Sequence, residues 1–185
     1  MMTDFQKHKI LNVIAFFAKS FKISGLTKLY KFMSFADFNC IKRTGKSITG
    51  LDYKAYQYGP FPEELNEEMR NKDSFFGMNV SLENPTGAKI KLVRVRSPFQ
   101  EKYFSKAEMQ VLNDMLFIFE DTKTQDIVFA SHERNSPWKK TVDTKGERAI
   151  IDSRLALDGS KGSISVDEYE RFLKESKEFK QLIYG

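Results

Sequence analysis

The residues of this 185-residue chain with the most evident chemical potential are few: a Gly-Lys-Ser tripeptide, a lone cysteine, two histidines and one glycine-punctuated acidic segment. Gly45-Lys46-Ser47 has the tail of a phosphate-binding loop, where backbone N–H groups cradle phosphates and a lysine meets their charge. That loop needs a second glycine five positions earlier, and Cys40 stands there. The tripeptide also follows a helical pattern, whereas a phosphate-binding loop follows a strand. The segment Asp158–Glu168 echoes the end of a calcium-binding loop. Aligning Gly162 and Glu168 to the obligatory glycine and the bidentate glutamate puts Leu157 and Lys161 at ligand positions, and a lysine repels the ion. His8 and His132 cannot build a histidine-rich metal site, and no Gly-x-Ser-x-Gly elbow is present. Cys40 lies on an apolar helix stripe, where a small buried thiol is the plain expectation, and nothing in the spacing ties it to His132. Asp37, within the same helix, reads as a paired or hydrogen-bonded structural carboxylate. The sequence therefore points away from an enzyme and implies neither metal nor cofactor.

Elements that would position these residues follow from periodicity. Ile10, Ile14, Phe17 and Phe21 recur at steps of four, three and four, predicting a helix over 4–20 with Asp4 as its N-cap. Leu26, Leu29, Met33, Ala36 and Cys40 predict a second helix that Gly45 ends, packed on the first as a hairpin. Residues 48–60 read as extended or turn structure, after which Pro60 and Pro62 open a short helix through Met69. Met78, Val80 and Leu82 alternate with polar residues, Asn84-Pro85-Thr86-Gly87 makes a turn, and Lys89–Arg96 returns. The return strand slips phase between Leu92 and Val93, which predicts a bulge or a strong twist. Ser105 with Glu108 and Ser165 with Glu168 are capping boxes for two later helices, and Thr122 or Thr124 starts another that ends near Glu133, before Pro137 and Trp138. Residues 143–163 read as a loop, and 164–184 as a C-terminal helix with Tyr169, Phe172, Leu173, Phe179, Leu182 and Ile183 on its apolar face. The expected fold is α+β: five to six helices packed with one small antiparallel sheet, in a single domain over 1–185.

Composition agrees with a globular chain. Hydrophobic residues make up 41% and charged residues 30%, and 17 phenylalanines must enter a core, an interface or both. The polar start and the lack of any long apolar run predict a cytoplasmic protein without a membrane span. A net charge of +5 comes from interleaved charges of both signs, which permits an acidic partner without demanding one.

One block remains unusual. Phe35-Ala36-Asp37-Phe38, Lys42-Arg43-Thr44-Gly45-Lys46-Ser47-Ile48-Thr49-Gly50 and Tyr53-Lys54-Ala55-Tyr56-Gln57-Tyr58-Gly59-Pro60 together resemble the signature of the Panacea domain, the SocA-like antitoxin family. Ser131-His132 and Pro137-Trp138 resemble its second half. The chain departs from the pattern at Ser34, where members often carry Tyr, and at Cys40, where they often carry His. The resemblance implies an antitoxin of a bacterial or phage toxin–antitoxin pair, which neutralises a cognate protein toxin by direct binding. In the SocA branch it also implies a protease adaptor. No catalytic residue is attributed to the domain. Asp37, Thr44, Gly45, Thr49, Gly50, His132 and Trp138 would then be signature residues with structural work.

Two surfaces could meet a partner. Tyr53, Tyr56 and Tyr58, with Gly59, Pro60 and Phe61, offer aromatic rings with polar tips, a type enriched at interfaces; buried hydroxyls cementing the core are the other reading of the same rings. Lys89, Lys91, Arg94 and Arg96 form a basic strand that could meet an acidic toxin or a nucleic-acid backbone, which leaves a nucleic-acid-binding regulator as the alternative function. The same charges would also guard a strand edge. A homo-oligomer is compatible with either.

Overall fold

Helix α2 (Leu26–Thr44) is the element around which the others gather, and even its polar residues are largely covered. Leu29, Phe32, Met33, Ala36 and Cys40 are buried, and so are Lys28, Lys31, Ser34 and Asp37 between them. A helix buried all round needs neighbours on every side. In the computed structural model, which describes residues 2–21, 25–84 and 92–184 (and not every side chain beyond 175), α2 packs against α1 (Asp4–Ser20), α5 (Lys106–Phe119), α6 (Thr124–Ser131) and a 3-10 turn at Ser153–Ala156. The expected α1 stripe of Ile10, Ile14, Phe17 and Phe21 is buried against it, and the rings of Phe17, Phe21 and Phe32 meet at 4.6–5.8 Å. The N-cap of α1 is Thr3, whose Oγ1 accepts from Gln6 N at 3.2 Å, and Asp4 is the first helical residue. Its charge still favours the helix start, through the macrodipole.

The architecture is α+β with helices dominant: eight α-helices and two two-stranded antiparallel sheets among the described residues. The sequence implied one sheet. The second is a minimal hairpin, β1 (Lys54–Tyr56) and β2 (Gly59–Phe61), within the tyrosine-rich segment, so that Pro60 is a strand residue and α3 (Glu63–Arg70) starts beyond Pro62. Three-residue strands are too short to show a period. The other hairpin, β3 (Val80–Glu83) and β4 (Leu92–Val95), packs against α1. Met78 falls in the short helix α4 (Phe75–Asn79), and the turn at 85–87 with Lys89 and Lys91 lies outside the described residues. Leu82 faces Val93 and Glu83 faces Leu92 in continuous register, so the described pairing carries no bulge. Leu92 also forms an isolated antiparallel bridge to Gly25, ahead of α2.

Both capping boxes form: Ser105 and Glu108 exchange bonds at the start of α5, and Ser165 and Glu168 at the start of α8 (Val166–Tyr184). Tyr169 on α8 is buried, whereas Leu173 is exposed; the side chains of Phe179, Leu182 and Ile183 lie outside those described. Helix α7 (Pro137–Lys145) is an addition, announced by Ser136 as N-cap and proline at the first helical position. The stretch 143–163, expected as a loop, holds the end of α7, a run beside β1 and the 3-10 turn. Ala55 N donates to Ala149 O at 2.9 Å and Ile151 N to Tyr53 O at 2.8 Å. No helix among the described residues is long and apolar enough to cross a membrane.

The turn between α3 and α4 depends on Gly77, where a Cβ would stand 1.8 Å from the Asn71 carbonyl oxygen. Backbone cannot yield as a side-chain tip can. Gly77→Ala is expected to lower stability in urea unfolding by about 1–3 kcal/mol, the range for overpacking, with an unchanged m-value.

Candidate functional site

Asp37 is buried to 1% exposure, and its carboxylate takes hydrogen bonds from four donors. Oδ1 accepts from Ile48 N at 2.8 Å and Thr49 N at 2.9 Å; Oδ2 accepts from the Thr49 hydroxyl and from Tyr53 Oη at 2.7 Å. Burial pushes the Asp37 carboxyl up from the ordinary carboxylate range, and the donors pull against that push. The arrangement ties the last turns of α2 to the non-helical link that follows. Around it the link closes on itself: Thr44 Oγ1 donates to Cys40 O at 2.8 Å, Gly45 caps α2 in the left-handed conformation, and Gly50 N donates to Ser47 Oγ at 2.8 Å. Five of the signature residues thus form one structural joint, and Tyr53 belongs to it.

Beyond the joint the hairpin is pinned from three sides. Trp138 Nε1 donates to Tyr56 O at 2.8 Å, and the Trp138 ring stacks on His132 at 3.9 Å. Glu63 accepts from both Tyr56 Oη and Lys54 Nζ. Lys31 Nζ, arriving from α2, donates to Pro60 O at 3.0 Å. Gly59 has φ +98°, and a Cβ there would stand 2.4 Å from Ser131 Oγ and 2.5 Å from Lys31 Nζ, so conformation and space both demand glycine. Phe61 rests edge-on against Tyr30 at 5.2 Å, and Tyr30 Oη donates to Asn66 Oδ1 at 3.0 Å.

The structure therefore divides the candidate surface. Tyr53 is core, Tyr56 and Phe61 are half-buried, and Gly59 and Pro60 are buried backbone supports. Tyr58, at the hairpin tip, is 67% exposed. Tyr56, Tyr58, Gly59, Pro60 and Phe61 border one cavity of about 500 Å³, which α2, α3 and Val128 of α6 complete. Phe129, the next residue after Val128, is 75% exposed. The basic strand belongs to the other hairpin, on α1. There Arg94 meets Glu83 at 3.6 Å, and Arg96 is exposed beyond the end of β4. Cys40 lies against Thr44, its thiol pushed up by burial, and His132 lies against Trp138, its basicity lowered by burial and by the Lys31 charge.

Lys31 is the residue the sequence reading missed. It is 3% exposed, and burial lowers its pKa to about 7. Lys28 and Lys31 sit among Leu29, Tyr30, Phe32 and Met33, but with Thr27, Asn39 and Lys42 they read as a solvated side of the helix until its packing is known.

A family model described as "Antitoxin SocA-like, Panacea domain" matches residues 29–139. The match runs from Leu29 on α2 to Lys139 on α7 and encloses the Asp37 joint, the hairpin and the His132–Trp138 stack. No curated protein and no solved structure matches the chain.

Two expectations test this geometry. Asp37→Ala leaves four donors without an acceptor and is expected to lower stability by about 3 kcal/mol or more, while Tyr53→Phe removes one bond and costs about 1 kcal/mol, both read in urea unfolding. Lys31 has a lowered folded pKa, so between about pH 7 and its unfolded value the unfolded chain binds the extra proton. Stability gained from this group rises with pH over that window, by at most about 1.4 kcal/mol per unit. The wild-type curve from pH 7 to 9 should climb relative to that of Lys31→Met, and parallel curves would contradict the assignment.

Proposed function

The chain belongs to the SocA-like antitoxin family of the Panacea domain, and from that premise we propose that it neutralises a cognate protein toxin by direct binding, with the exposed rings of Tyr58 and Phe129 as anchors. The observation that carries this reading is the contrast within one short hairpin. Tyr56, Gly59, Pro60 and Phe61 are held by Glu63, Trp138, Lys31 and Tyr30, while the Tyr58 ring between them is left 67% exposed. A rigidly mounted, exposed aromatic loses little side-chain freedom when a partner covers it, which is the physical profile of an interface anchor. Phe129, which follows the cavity-lining Val128 in α6, offers a second exposed ring.

The reading requires no chemistry from this chain: its only thiol is buried against Thr44, His8 lies against Phe75 and Tyr103, and His132 lies against Trp138. Delivery of the toxin to a protease, as the SocA branch suggests, would use the same complex. Nucleic-acid binding through Arg94 and Arg96 has less support, since Arg94 already meets Glu83.

Co-expression of the adjacent open reading frame tests the proposal. The neighbour alone should arrest growth, the pair should grow and co-purify, and Tyr58→Ser with Phe129→Ser should abolish rescue while the protein stays folded. A harmless neighbour, or full rescue by that double variant, would overturn the assignment. If degradation contributes, toxin levels should fall in the presence of this chain only in protease-proficient cells.

A further inference from the structure

The cavity beneath Tyr58 holds a cation without a counter-ion. Lys31 is 3% exposed, yet its Nζ donates to a single neutral acceptor, the Pro60 carbonyl oxygen, at 3.0 Å. An ammonium group has three donors, and burying one without an anion is costly. No carboxylate pairs with Lys31 among the described residues. The titratable and charged groups around the cavity are already committed or carry the same sign. Tyr30 Oη is spent on Asn66, Glu63 is held by Lys54 and Tyr56, and Arg70 is a second cation on the α3 wall. From the end of α6, His132 is made less basic by the Lys31 charge.

No acidic residue lines this cavity among the described residues, and Tyr30, Tyr56, Tyr58 and Phe61 contribute to its walls beside Leu26, Asn66 and Val128. The α2 start adds to the positive field, since its N-cap Gly25 supplies no side-chain acceptor. The missing component is thus an anion on an apolar or aromatic stem, and the anion a protein partner offers is a carboxylate.

We infer that this cavity receives a carboxylate of the partner protein, an acidic side chain or a chain terminus next to an apolar residue, with Lys31 as its ion-pair partner, and that the complex takes up a proton on forming. This rests on the antitoxin reading for the identity of the partner, but the carboxylate site can be tested without it. The free protein holds Lys31 partly neutral near pH 7 because of burial, whereas an ion pair requires the ammonium. Affinity therefore falls as pH rises above neutrality, by up to about tenfold per unit.

The experiment titrates the full isotope-labelled chain with N-acetyl-L-phenylalanine and with its uncharged methylamide, following backbone amide shifts. The acid should saturably shift Lys31 and residues 58–61 and bind about tenfold or more tighter than the amide, a difference that Lys31→Met erases. Acid binding should weaken severalfold between pH 6.5 and 8.5. Equal binding of acid and amide, a pH-independent affinity, or no shifts up to about 50 mM would overturn the inference. If the acid binds but the neighbouring gene product neither associates nor is neutralised, the carboxylate site stands and the antitoxin reading falls. If the partner binds Lys31→Met equally at both pH values and the acid does not bind, the reverse holds.

Discussion

A buried carboxylate with four donors is the constraint on which this fold turns. Asp37 sits on a helix surrounded by other elements, where an unpartnered charge would be very costly. Its oxygens instead organise the chain that leaves the helix: two backbone N–H groups, a threonine hydroxyl and a tyrosine hydroxyl converge on it. A link with no regular hydrogen-bond ladder thereby acquires a fixed path. That path sets where Tyr53 enters the core and where β1 begins, and so where the hairpin tip emerges. The run at 149–151 then has a backbone edge to pair with, and the C-terminal third of the chain is tied to the same joint.

Presentation of Tyr58 is the consequence. Four separate elements hold the residues on either side of it: α2 through Lys31 and Tyr30, α3 through Glu63, α6 through Ser131 beneath Gly59, and α7 through Trp138. Such redundancy goes beyond what six strand residues need to stay paired. It is what a binding anchor needs, because a pre-ordered ring does not lose its freedom at the moment of association. Lys31 shows the accompanying compromise. Its burial opposes folding at neutral pH, and its one bond to Pro60 offsets only part of that cost; a complex that brought an anion to it would recover the rest.

Legibility in the sequence followed the strength of local signals. The helices with long apolar periods or capping boxes were readable because periodicity and caps are properties of a few neighbouring residues. Asp37 was readable as a paired or hydrogen-bonded carboxylate, but its donors at 48, 49 and 53 were not, because no local pattern says which groups of the link fold back onto the helix. The hairpin at 54–61 was not readable as strands, since three residues cannot display alternation, and the apolar run Ala149-Ile150-Ile151 beside β1 is too short for the same reason. Helix α7 was missed although Ser136-Pro137 marks its start, because Trp138 and Thr141 are too few to define a stripe. Lys31 was passed over for a different reason: burial of a lysine is decided by what packs around the helix, and only tertiary structure supplies that.

The Asp37 joint makes a direct claim about two amides that lie in no helix or strand. Native-state hydrogen exchange of Ile48 and Thr49, followed across low urea concentrations, measures it. Both amides should exchange only through global unfolding, with the protection and urea dependence of the core amides of α2. Exchange at rates typical of an open surface loop, insensitive to urea, would contradict the view that this carboxylate fixes the link and everything mounted on it.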